Sequence, residues 1–183
     1  MSGRLIKGAP GEVVGMAETS AVERLGERLR DHGETLAVAE SCTGGLLGST
    51  ITNVPGASDY FVGGVISYMN RTKLAFLAVS REALERHGAV SRPVAREMAQ
   101  HVRDEAGADW ALSTTGFAGE APASSDEPAG TVYVGVACAS DRADDGVFSV
   151  VERYRFDGTR HEVKEQIVER ALESLLAQVR STE

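Results

Sequence analysis

The chain has 183 residues, a net charge of −8, 42% hydrophobic and 5% aromatic residues. That length suits one domain with a single core, and the apolar share argues against disorder. The acidic balance gives no general pull toward nucleic acid or anionic membranes, and no stretch is apolar for long enough to span a bilayer.

Residues 1–18 hold several glycines and one proline without a clear period and read as a flexible tail, which leaves 19–183 as the folded domain. The start carries no apolar signal-peptide core. Two distant cysteines, Cys42 and Cys138, form neither a disulfide framework nor a Cys-x-x-Cys site. A reduced, cytoplasmic setting without a metal or other cofactor is the expectation.

Ser20 and Glu23 have capping-box spacing, with Val22, Leu25 and Leu29 on one helical face and Gly33 as the stop. Thr35 to Ala39 is short and apolar and predicts a buried strand. Glu40-Ser41-Cys42-Thr43-Gly44-Gly45 follows, and Leu46, Leu47 and Ile51 predict a helix. Gly64 to Tyr68 predicts a strand and Asn70 to Ala78 a short helix. Ser91 is placed as the cap of a helix carrying Val94, Met98 and Val102 and ending at Gly107. Ala111 to Thr115 predicts a strand that leads into Gly116-Phe117-Ala118-Gly119 and a polar loop. Thr131 to Cys138 and Val147 to Phe156 predict a β-hairpin around the acidic loop Ser140 to Gly146. A last helix is predicted over His161 to Val179. Early strands alternate with helices, so they should pair in parallel, whereas the late hairpin must be antiparallel. The fold class is therefore α/β: a single-domain, three-layer α/β/α sandwich with a mixed sheet.

Residues 40–45, 68–73 and 115–119 each follow a predicted strand, and ligands of open α/β sheets bind beyond the carboxyl ends of strands. The first segment opens a helix, whose free N–H groups suit an oxyanion or a phosphate, and Gly44 and Gly45 permit close approach. Ser41 is a candidate nucleophile there, although this segment alone favours Ser41 or Thr43 as merely a helix cap. Cys42 is a rival nucleophile, because a helix N-terminus lowers a thiol pKa. Tyr68 and Lys73 lie in the second segment. A partly buried Lys73 would lose its proton more readily and could then accept one from a serine. The four histidines lack metal-ligand spacing, which disfavours a Ser-His-Asp scheme.

These residues also stand in an order that resembles a known family. Ala39 to Leu46, Val54 to Ser58, Gly63 to Tyr68 with Asn70 and Lys73, His87 to Ser91, Thr115 to Gly119, and Gly158-Thr159-Arg160 are similar to the motifs of the CinA C-terminal domain family, the nicotinamide-nucleotide amidohydrolases. The likeness runs from about residue 20 to about residue 178. It implies conversion of nicotinamide mononucleotide (NMN) to nicotinate mononucleotide and ammonia without a metal, in a homodimer or larger homo-oligomer. It implies Ser41 as nucleophile, Tyr68 and Lys73 as its activators, and oxyanion or substrate contacts from Cys42, Thr43, Gly44 and Gly45. Thr115, Gly116, Ala118 and Gly119 match its ligand loop, and Arg160 a basic position for the substrate phosphate. Some members carry a further N-terminal domain; this chain resembles the stand-alone form. Family members continue past the Thr-Gly-x-Ala-Gly loop with proline and glycines, whereas here Glu120-Ala121-Pro122-Ala123-Ser124-Ser125 follows. Glu120 would repel a phosphate at that loop, so a binding module without turnover, or an amidase for another small amide, are the competing expectations.

Overall fold

The computed structural model of the chain describes residues 20–123, 125–139 and 149–181. The N-terminal segment read as a tail and the acidic hairpin loop lie outside these residues.

Five strands form one sheet in the order β2-β1-β3-β4-β5. They are β1 (Leu36–Glu40), β2 (Phe61–Ile66), β3 (Trp110–Gly116), β4 (Thr131–Cys138) and β5 (Ser149–Arg155). β1 is parallel to both β2 and β3, while β4 is antiparallel to β3 and to β5. The mixed sheet and the antiparallel hairpin therefore stand as expected. Helices α1 (Ala21–His32), α2 (Leu46–Thr52) and α6 (Arg160–Ser181) cover one face. Helices α3 (Asn70–Leu77), α4 (Arg81–His87) and α5 (Arg92–Ala106) cover the other.

Local chemistry accounts for most boundaries. Ser20 and Glu23 complete a reciprocal capping box, Ser20 N–H donating to Glu23 Oε2 at 2.9 Å, and Gly33 closes α1 at φ 62°. Gly107 closes α5 in the same left-handed way. Every residue of β1 and β4 is buried, because helices pack on both sides of the central strands.

Three expectations need correction. β2 begins and ends earlier than Gly64 to Tyr68: it spans Phe61–Ile66, and the bond from Ser67 N–H to Glu40 O (2.7 Å) is the last rung of its pairing with β1. α4 had not been foreseen; Ser80 caps it by accepting from Ala83 N–H at 3.1 Å. Ser91 precedes α5 without capping it by its side chain, and its hydroxyl donates instead to Gly88 O at 2.8 Å.

Candidate active site

The parallel strands β2, β1 and β3 bring their carboxyl ends to one edge, and Ser67, Ser41 and Thr114 to Gly116 meet there. Ser41 N–H donates to Thr114 O (2.9 Å), tying the residue after β1 to β3. Thr43 and Thr114 share a buried hydroxyl–hydroxyl bond of 2.8 Å. Thr115 Oγ1 donates to Ala89 O (2.7 Å) and draws in the loop ahead of α5. The three loop segments thus converge on one cleft, as their position after parallel strands requires.

Lys73 is the central group. It lies on the second turn of α3, and Met69, not Asn70, is the cap. The side chain is 1% exposed. Its Nζ donates to Ser41 Oγ at 2.9 Å and to Ser67 O at 2.6 Å. Among the described residues no carboxylate pairs with it, and burial pushes its pKa from 10.5 to about 8. Ser41 is 7% exposed and faces the same cleft. A lysine that sheds its proton near neutrality, seated on a serine hydroxyl, is the arrangement that activates a nucleophile.

Burial pushes the Cys42 thiol up to about 12. Sequence reasoning expected the helix terminus to lower it; loss of water outweighs that effect, and Cys42 is not a thiolate at neutral pH.

The helix terminus itself is already filled, by a residue that sequence reasoning missed. Glu40, the last residue of β1, is 2% exposed. Its Oε2 accepts from the N–H of Gly45 (2.8 Å) and Leu47 (3.2 Å), and its Oε1 from Gly48 N–H (2.8 Å). Gly44 N–H donates to Ser41 O and Leu46 N–H to Thr43 O. The amides expected to serve an oxyanion at Gly44 and Gly45 are therefore engaged within the protein. Those of Cys42 and Thr43 make no hydrogen bond to another described residue. Gly44 (φ 60°) and Gly45 (φ 99°) turn the chain so that α2 starts on Glu40. Neither Ser41 nor Thr43 caps α2. An acidic residue five positions ahead of a Gly-initiated helix was the available signal.

The cleft, about 230 Å³, is lined by Ser41, Cys42, Tyr68, Lys73, Thr115 to Glu120 and Arg160, among others. Tyr68 is 60% exposed; its carbonyl lies 3.5 Å from Lys73 Nζ. Its phenol makes no hydrogen bond to Ser41 or Lys73, so it forms a wall of the cleft. Gly116 is fixed by packing, as a Cβ there would come within 2.6 Å of Val132. Arg160 lies against Gly119, where a Cβ would be 2.9 Å from its Nη2. Among the described residues no three His, Cys, Asp or Glu side chains cluster in a way that could hold a metal ion, and no helix is long and apolar enough to cross a membrane.

Residues 18–179 match the model of the CinA C-terminal domain. A CinA-like protein of Chlorobium limicola is 46% identical over 155 residues, 85% of this chain and 36% of that protein. One from a Nostoc species is 50% identical over 127 residues, 69% of this chain and 30% of its own length. The chain thus spans about a third of the length of the curated relatives it matches. A competence-damaged protein (CinA) superfamily protein from Klebsiella pneumoniae superposes with a TM-score of 0.81 at 29% identity, covering 88% of this chain and 96% of that one. The competence/damage inducible protein CihA from Agrobacterium tumefaciens gives 0.74 at 31% identity, covering 86% and 95%.

Proposed function

We propose that this chain, which belongs to the CinA C-terminal domain family, is a serine amidohydrolase converting NMN to nicotinate mononucleotide and ammonia. The observation that carries the reading is the buried Lys73 Nζ, 2.9 Å from Ser41 Oγ with its pKa brought down to about 8. The substrate follows from the resemblance of the ordered motifs.

Neutral Lys73 takes the hydroxyl proton as Ser41 Oγ bonds to the carboxamide carbon. The carbonyl oxygen becomes an oxyanion facing the amides of Cys42 and Thr43, each such donor typically contributing about 3–4 kcal/mol. Lys73 passes its proton to the amide nitrogen, the C–N bond breaks and ammonia leaves. Water then gives its proton to Lys73 and attacks the acyl carbon; the proton returns to Ser41 as the ester bond breaks. Tyr68, whose phenol makes no hydrogen bond to a described residue, borders the pyridine ring or the leaving ammonia.

Purified protein mixed with NMN should release ammonia and nicotinate mononucleotide in equal amounts. Ser41→Ala should abolish this, and Cys42→Ala should retain it. Activity surviving in Ser41→Ala overturns the scheme. Glu120 in the cleft lining favours one alternative, a module that binds the nucleotide without turnover. NMN binding with no ammonia released would establish it.

A further inference from the structure

Arg160 lines this cleft, and Lys164 stands one helical turn further along α6. Arg160 lies against Gly119 in the loop after β3. Lys164 reaches the other loop: a Cβ on Gly44 would lie 3.7 Å from its Nζ. The first turn of α6 therefore spans the gap between the two loops that line the site. Side chains four apart share a helical face.

Neither cationic group makes a hydrogen bond or ion pair with a described residue. The neighbouring acids on the same helix are engaged elsewhere. Glu162 Oε2 accepts from Thr159 N–H and Oγ1, both at 2.8 Å. Glu165 lies 3.3 Å from His161 Nε2. In a chain of net charge −8, two adjacent cations without carboxylate partners beside a cleft mark a place for an external anion.

We propose that Lys164 completes a two-point clamp with Arg160 for the phosphate of the substrate, and that it sets preference for a nucleotide over its nucleoside. This rests on the amidohydrolase reading. The Arg160 guanidinium offers a planar fork to two oxygens, and Lys164 a point charge to the third. Sequence reasoning identified Arg160 alone, because only the fold shows that the next turn of α6 overlies Gly44.

The test compares kcat/KM for NMN with that for nicotinamide riboside, which lacks the phosphate, in the wild type and in Lys164→Ala. Lys164 is only partly buried, so its truncation leaves the core intact. The NMN-to-riboside ratio should fall about tenfold, carried by KM. A ratio unchanged by the substitution overturns the clamp. Inorganic phosphate, titrated against both proteins by calorimetry, supplies a readout that needs no turnover. It should bind the wild type more tightly than Lys164→Ala, and equal binding overturns the proposal. Absence of ammonia release from either substrate would remove the amidohydrolase reading, while the phosphate titration still decides on the clamp.

Discussion

Residue identity matters most at Lys73. Burial lowers its pKa to about 8, and the base is the neutral form. Below that value the neutral fraction falls tenfold per pH unit, so kcat/KM should rise with pH and level off above about 8. A profile flat across this range would show that Lys73 is not the base. Lys73→Arg should lose turnover throughout, since a guanidinium stays protonated at any working pH. Glu120 acts in the opposite direction. Glu120 lines the cleft together with Arg160, so Glu120→Gln should tighten NMN by a few-fold in KM, with the gain shrinking as salt is added. An unchanged KM would place Glu120 away from the phosphate. These pairings explain what sequence could reveal at this scale. Ser41 and Lys73 are far apart in the chain; their place after parallel strands suggested a serine–lysine pair and the family likeness strengthened it, whereas the hydrogen bond joining them depends on the register of β1 against β2.

The element whose position decides the site is α2, seven residues long and opened by glycine without a side-chain cap of its own. Glu40 supplies what Gly45 lacks by accepting three backbone N–H groups across the Ser41 turn. Truncation would leave those buried donors unpaired, a loss of about 2–3 kcal/mol. Glu40→Ala should therefore lower the urea midpoint and also reduce turnover, because the Ser41 turn is held between Glu40 and α2. Glu40→Gln retains an acceptor oxygen and should recover part of both. Activity untouched in a folded Glu40→Ala would separate the cap from the catalytic geometry. The elements that were legible carry their own signals: the Ser20–Glu23 box, Gly33, Gly107 and the apolar run of β4. The end of β2 was not legible, because Gly63 and Gly64 blur the alternation and its pairing runs out where β1 itself ends, at Glu40. α4 was missed because it is short and polar, its support being Ser80 and the surface pairs Arg81–Glu85 and Arg86–Glu82.

At the scale of the whole molecule, the sheet has two edges of different character. β5 carries charged Glu152, Arg153 and Arg155, which discourage a further strand. β2 carries Val62 and Ile66, each more than half exposed, and Tyr68, Met69 and Phe76 nearby are more exposed still than a core residue would be. An open strand edge flanked by exposed apolar side chains is a surface that self-association covers. The alternation of helices and strands made the layer order legible from sequence, but which strand ends at an edge is set by long-range pairing and could not be read there. Because the family likeness implies a homo-oligomer, the β2 edge is where a second copy should pack. Light scattering on the wild type should then give at least twice the mass of one chain. The double variant Val62→Glu/Phe76→Glu should give a single-chain mass with its helical signal retained, since neither side chain is part of the core. A wild type of single-chain mass, or a variant that keeps the larger mass, would exclude this edge as the interface. Tyr68 belongs both to this apolar edge and to the cleft, so a dimer built here would shield its ring. Loss of the dimer should accordingly raise KM for NMN while the pH at which kcat/KM levels off, set by Lys73 in the interior, stays in place.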